Sequence, residues 1–177
     1  MDAMRWRASV TIGGSVQRIG EHVFSACEAL ASLTIGENVT KIGCGAIGGG
    51  DAPSTLQVAA GNPVYHSAGN CIVHTETNTV VAGCNTSRIP AGVVHIGERA
   101  FEGCDALTAV TIPDTVTTIG DMAFAVCDAL ASVTIGGSVT AIGMYAFEGC
   151  ESLTIHAPTG SAAEAYAKEN GIRFEEI

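Results

Sequence analysis

Residues 110–132 read VTIPDTVTTIGDMAFAVCDALAS, and most of the chain is a copy of this stretch, an expansion of it, or an end for it. Residues 133–150, VTIGGSVTAIGMYAFEGC, repeat it almost word for word, and residues 10–32, VTIGGSVQRIGEHVFSACEALAS, repeat it in full. Ile112 recurs as Ile135 and Cys104 as Cys127, a period of 23. A fixed period of this size marks a stacked array, because one unit cannot bury its apolar face alone and each must bury it against the next. Within a unit, VTI alternates as a short strand with Val10 and Ile12 inward and Thr11 outward. Gly13 and Gly14 turn the chain, Val16 and Ile19 point inward again, and EHVFSAC predicts a short helical segment anchored by Phe24.

The period divides one domain into units 10–32, 33–55, 56–86, 87–109, 110–132 and 133–152, followed by a cap at 153–177. In the second unit Ala46-Ile47 replaces Ala-Phe and Gly48-Gly49-Gly50 replaces the stretch ending in Cys, which predicts a soft rung. The third unit is expanded to 31 residues. Its CIVH and TVVA, separated by TETN, predict a hairpin that projects from the array. At the other end, Trp6 with Arg5 and Arg7 are expected to cover the first rung. In the tail, Ser161 and Glu164 form a capping box before AAEAYAKEN, Gly171 suits the helix end, and Ile172 and Phe174 predict a closing strand.

The chain is 47% hydrophobic with a formal charge of −10, which suits a folded core and repels nucleic-acid phosphates and anionic membranes. It has no apolar run of the roughly eighteen residues that span a bilayer, and its start lacks the apolar core of a secretory signal. That start predicts a cytoplasmic protein or a segment of something longer. Cys27, Cys104, Cys127 and Cys150 occupy one slot, three residues after Phe24, Phe101, Phe124 and Phe147. A cysteine recurring in one slot predicts a buried, stacked thiol rather than a disulfide framework.

Written out, the repeat is LxxVTIPxxVxxIGxxAFxGCxxL. It closely resembles the BspA-like leucine-rich repeats of many bacterial and protozoan surface proteins. Ile112-Pro113, Val116, Ile119-Gly120, Ala123-Phe124, Cys127 and Leu130 carry the resemblance. The stretch GNPVYHSAGNCIVHTETNTVVAGC looks like the longer, hairpin-bearing unit of that family, and GSAAEAYAKENGIRF like its C-terminal cap. The resemblance implies a right-handed solenoid of about 23-residue units with a concave parallel strand ladder and a helix–strand cap. It also implies adhesion or protein binding at a cell surface or in secretion, rather than catalysis.

Two exposed ladders follow from the period. The first, on the strands, includes Thr34, Gln57, Arg88, Thr111 and Thr134. It predicts an uncharged, hydroxyl-rich face for a protein or glycan, with Arg88 its one cation, and equally a set of Thr pairs that stabilise the stack. The second is acidic: Glu28, Asp51, Asp105, Asp128 and Glu151. It lacks the carboxylates clustered within one short loop that hold calcium, so no metal is expected. Cys71, His74, Cys84 and His66 lack the paired spacings of a zinc site. A thiol-dependent hydrolase built on Cys71 with His74 or His66 is the alternative in another class, but no oxyanion hole or orienting acid accompanies it. A passive spacer is a third reading. The Gly-rich runs are turns and not phosphate loops. No catalytic residue and no cofactor is expected, and the chain is expected to be a monomer. The expected contact surface for a protein partner is the hairpin, residues 64–83, with Tyr65, His66 and His74, and the adjoining concave rungs Gln57, Arg88 and Thr111. Arg and Tyr are the types that dominate interfaces; the regular face at Thr34 and Thr134 is the alternative.

Overall fold

A computed structural model describes residues 8–25, 27, 29–49 and 53–177. The expected cap residues Arg5, Trp6 and Arg7, and Glu28 and Asp51 of the acidic ladder, lie outside the described residues. In chain order the first strands are β1 (Ala8–Thr11), β2 (Arg18–Ile19), β3 (Leu30–Ile35), β4 (Lys41–Ile42) and β5 (Thr55–Val58). The expanded unit gives β6 (Tyr65–Ala68), β7 (Cys71–His74) and β8 (Thr79–Ala82). Then follow β9 (His95–Ile96), β10 (Ala109–Ile112), β11 (Thr118–Ile119), β12 (Ser132–Ile135), β13 (Ala141–Ile142) and β14 (Thr154–Ala157). The cap is α1 (Ala162–Glu169) and β15 (Arg173–Glu176).

Each regular unit contributes one longer strand to a first ladder and one two-residue strand to a second; the expanded unit and the one after it depart from this. The first ladder runs β1-β3-β5, breaks, and resumes as β10-β12-β14-β15. All of its pairs are parallel; β10 and β12 match at the repeat spacing, Val110 opposite Val133 and Thr111 opposite Thr134, while β14 sits one residue out of step, with Val133 opposite Ile155. In β10 the burial alternates, Val110 and Ile112 inward and Ala109 and Thr111 exposed, as the two-residue strand period requires. The Phe segments are not helices but consecutive turns, for example Cys104 N–H to Phe101 C=O (3.2 Å) and Leu107 N–H to Cys104 C=O (3.0 Å). A left-handed residue recurs early in each, at His22, Arg99, Met122 and Tyr145, and stops helical propagation.

Between the ladders lies a column of aromatic rings. Phe101 and Phe124 stack at 4.8 Å, Phe124 and Phe147 at 5.3 Å, and Tyr166 of α1 closes the column edge-on to Phe147 at 5.9 Å. Beside it the thiols of Cys127 and Cys150 donate to the carbonyls of Phe101 (3.1 Å) and Phe124 (3.2 Å), one unit back. Cys104, Cys127 and Cys150 are buried as expected, but Cys27 is exposed.

The expanded unit departs from expectation. The hairpin strands are those predicted, but the hairpin does not project. β8 pairs in parallel with β9, so β6, β7 and β8 extend the second ladder as β13-β11-β9-β8-β7-β6. Cys71, Ile72, Val73, Val80 and Ala82 are buried, and the turn at 75–78 is exposed. The reason is apolar: an alternating strand that matches Val80 to Ile96 buries more surface in the ladder than in water. A third strand, β6, joins β7 through Gly69 and Asn70, at φ 57° and 60°. A two-residue loop with both φ positive is the turn that Gly and Asn favour.

Side chains of this unit replace the missing backbone rungs. The Leu56 N–H donates to Asn70 Oδ1 (2.7 Å) and the Val58 N–H to Ser67 Oγ (3.3 Å), which seals the edge of β5. The Ile42 N–H donates to the Tyr65 hydroxyl (3.1 Å), which seals β4. Asn70 Nδ2 also reaches the Ser54 carbonyl (2.8 Å) and Thr86 Oγ1 (2.6 Å). Asn70→Gly keeps the positive φ and removes these bonds, so it is expected to cost about 1–3 kcal/mol, the penalty of a stranded buried polar group. A urea midpoint unchanged from wild type would show that water replaces the amide at no cost.

The second unit makes contacts of its own. Ile47 is fully buried. The Gly49 N–H donates to the Glu102 carbonyl (3.0 Å), and a Cβ on Gly48 would lie 2.6 Å from that oxygen. The turn of the second unit thus closes directly on that of the fourth, and glycine is what lets the two backbones meet. At the far end the Ser161 hydroxyl accepts from the Glu164 N–H (3.2 Å), while the Glu164 carboxylate accepts from the Gly160 N–H (2.6 Å). β15 pairs with β14, with Phe174 opposite Ile155.

Candidate functional site

The predicted contact residues fall into three places. Tyr65 is buried at 5% exposure, its hydroxyl taken by Ile42 and its ring edge-on to His74 at 5.4 Å. The expectation that Tyr65 is a surface anchor is therefore corrected: an amphipathic ring beside a ladder break packs its body inward and spends its hydroxyl on the orphaned N–H. His66 is exposed, its Nδ1 3.0 Å from Thr75 Oγ1, in a shallow cleft of about 400 Å³ shared with Pro63 and Ser67. His74 is half-buried, with Nδ1 3.1 Å from Thr77 Oγ1.

Arg88 and Thr111 come together at the ladder break. They line one cleft of about 640 Å³ between residues 85–91 and 106–113. Arg88 was expected on a strand, but residues 83–90 form none. Their inward slot, Val110 or Val133 in other units, holds Ser87, whose hydroxyl donates to the Asn70 carbonyl (2.6 Å) and accepts from the Cys84 N–H (2.9 Å). A polar residue in a core slot spends its bonds locally and pulls the segment out of the ladder. Gln57 is exposed on β5, across the break. Thr34 lies opposite Gln57 and Thr134 opposite Thr111, both half-buried on the same row.

The cleft contains one charged residue, Arg88, and no acid, on a chain with 18 acidic and 8 basic residues. Arg88 is exposed, and no ion pair joins it to another described residue. Sequence reasoning missed Asn70, Ser67 and Asn85, which shape this region. The Gly-Asn pair between two strand-like runs was the available signal for the first two.

The thiols are placed for packing. Burial pushes the Cys71 thiol up to about 12, and a hydrogen bond with Cys104 together with burial raises Cys127. Three positions apart on β7, Cys71 and His74 point to opposite faces. The Nδ1 atoms of His66 and His74 both face threonines. A protonated, buried thiol is inert. Among the described residues no group of three or more His, Cys, Asp or Glu is placed to hold a metal, and no helix is long and apolar enough to cross a membrane.

These thiols also set a pH dependence. The folded protein holds the Cys71 proton to about 12, against an ordinary value near 9. The contribution is complete below pH 9 and is lost as pH rises toward 12, because only the unfolded chain releases the proton in that window. Stability is expected to fall between pH 9 and 11 by about 1.4 kcal/mol per pH unit for such a thiol, and Cys71→Ala should flatten the slope by that amount. Denaturant midpoints against pH measure this, and equal slopes in the two proteins would contradict it.

A stack of 23-residue turns with two strand ladders, parallel outside the expanded unit, and an apolar column between them defines a leucine-rich-repeat solenoid. The chain belongs to the BspA type leucine rich repeat family, which matches in six copies at residues 7–51 and 81–163 and leaves most of the expanded unit unmatched. No curated protein matches. Among solved structures, a leucine-rich repeat protein from Eubacterium ventriosum superposes with a TM-score of 0.75 at 23% identity, over 86% of this chain and 42% of that one. A leucine rich cell surface protein from Faecalibacterium prausnitzii gives 0.58 at 23% identity, over 95% of this chain and 59% of that one. The pneumococcal vaccine antigen PcpA gives 0.57 at 13% identity, over 93% and 60%. The chain thus spans about half the length of the structures it matches.

Proposed function

We propose that this chain is a non-enzymatic protein-binding module serving adhesion, carried by a cell-surface or secreted protein. The observation that supports it most is the acid-free cleft holding Arg88 and Thr111 on an otherwise acidic surface. The family is one of repeat modules that in general bind proteins or stand at surfaces, and two structural neighbours are described as a cell surface protein and a vaccine antigen. The contact surface is the first-ladder row around the break: Gln57, Arg88 and Thr111, with Thr34 and Thr134 at its margins and His66 beyond. A rigid scaffold that presents an irregular segment is where binding residues concentrate.

Biolayer interferometry of the immobilised chain against purified matrix and serum proteins tests this. A ligand is expected whose affinity drops tenfold or more, about 1.4 kcal/mol, when Arg88→Ala and Thr111→Ala are combined. Thr34→Ala with Thr134→Ala should leave it within about twofold. The reverse ranking would move the site to the regular face, and binding only to glycans would replace the protein partner.

A further inference from the structure

At the break, the backbone edges are treated unequally. The edge of β5 is closed by Asn70 and Ser67, and that of β4 by Tyr65. Among the described residues the edge of β10 has no such seal. In the first sheet the inward residues face the following strand: the Ile12 N–H donates to the Thr34 carbonyl (2.8 Å) and the Ile35 carbonyl accepts from the Ala59 N–H (2.8 Å). By strand alternation Val110 and Ile112 do the same, while Ala109 and Thr111 point theirs into the break. β10 is the terminal strand of its sheet, and among the described residues no hydrogen bond joins Ala109 or Thr111 to residues 85–90. The nearest side-chain seal, Asn85 Oδ1 to the Ala106 N–H (3.1 Å), stops short of the strand.

A strand edge and a guanidinium that no described residue pairs with, beside one cleft of about 640 Å³, together describe one kind of ligand. We infer that the break is a strand-addition site: an extended peptide of the partner protein pairs its backbone with Ala109 and Thr111 and sets a carboxylate side chain on Arg88. An exposed edge offers main-chain hydrogen bonds to any extended chain. The charge supplies the selection, because Arg88 is the cleft's one charged residue and a guanidinium bonds a carboxylate with two parallel N–H donors. The surrounding negative field keeps strongly acidic chains away, so a single carboxylate flanked by neutral residues suits the site best. This inference rests on the reading of the chain as a protein-binding module.

The test uses the full chain, labelled with nitrogen-15, and acetylated, amidated hexapeptides of mixed Val, Thr, Ser and Tyr with Glu, Gln or Lys fixed at the third position. The Glu set should shift the amide resonances of Ala109 and Thr111 at millimolar concentration. The Gln set should bind roughly fivefold more weakly, as expected for one exposed charge pair, and the Lys set should give no shift. Arg88→Gln should reduce the Glu set to the level of the Gln set while the remaining spectrum stays as in wild type. N-methylation of alternate peptide amides should abolish the shifts, because pairing needs those N–H groups. Equal response to Glu and Lys, shifts confined to Thr34 and Gln57, or no shift at all overturns the strand-addition site. If a partner from the interferometry panel still binds in any of those cases, the binding-module reading survives and this mode alone is lost; if none binds, both fall.

Discussion

Phe124→Ala is expected to destabilise the protein by about 3–5 kcal/mol, the cost of a large-to-small change at a closed site. Phe124 has no exposed surface and sits between two rings nearly parallel to its own, at interplanar angles of 9° and 5°. Neither neighbour can move in to fill the void. Phe101 is held by its N–H to the Ala123 carbonyl (2.7 Å), and Phe147 is held under Tyr166. The substitution also forfeits two stacking contacts, each about 0.5–1.5 kcal/mol beyond the buried area. In a linear array the loss is felt as an interface on both sides of one unit, so the unfolding transition should also broaden. Chemical denaturation followed by far-ultraviolet circular dichroism measures it. A loss below about 1 kcal/mol would mean that the column is loose enough to collapse around the gap.

Removal of residues 160–177 should make the chain self-associate more strongly than the intact chain does. The deleted segment carries α1, with Ala163 and Ala167 buried against the last rung, and β15, which pairs along the whole of β14. Without it, Phe147 loses the Tyr166 ring, Leu153 and Ile155 lose their cover, and β14 becomes an open, flat edge. An open edge next to apolar surface invites pairing with another copy, and a repeat array depends on a polar terminal unit for solubility. Light scattering after size exclusion gives the result directly. A truncated chain with the same scattering mass per chain and the same melting temperature as the intact one would show that the cap is dispensable.

The period was readable because stacking demands it. Every unit must match its neighbours in step, so inward Val, Ile, Leu and Phe recur at fixed intervals, and Val133 opposite Val110 follows from counting. The cap was readable for a local reason: Ser161, Glu164 and Gly171 satisfy helix-end groups within a few residues of themselves. Only the tertiary structure decided what happens where the period fails. Whether β8 projects or joins the ladder depends on its fit to Ile96, a residue outside its own unit. Tyr65 became a core residue because β4, more than twenty positions earlier, left an N–H without a partner. Gly48 and Gly49 break the repeat pattern, and their role depends on the Glu102 carbonyl more than fifty positions later. Arg88 reached a cleft rather than a strand because Ser87 found the Asn70 carbonyl. Repetition encodes the contacts between like units, whereas the contacts that close a break lie between unlike segments and carry no period.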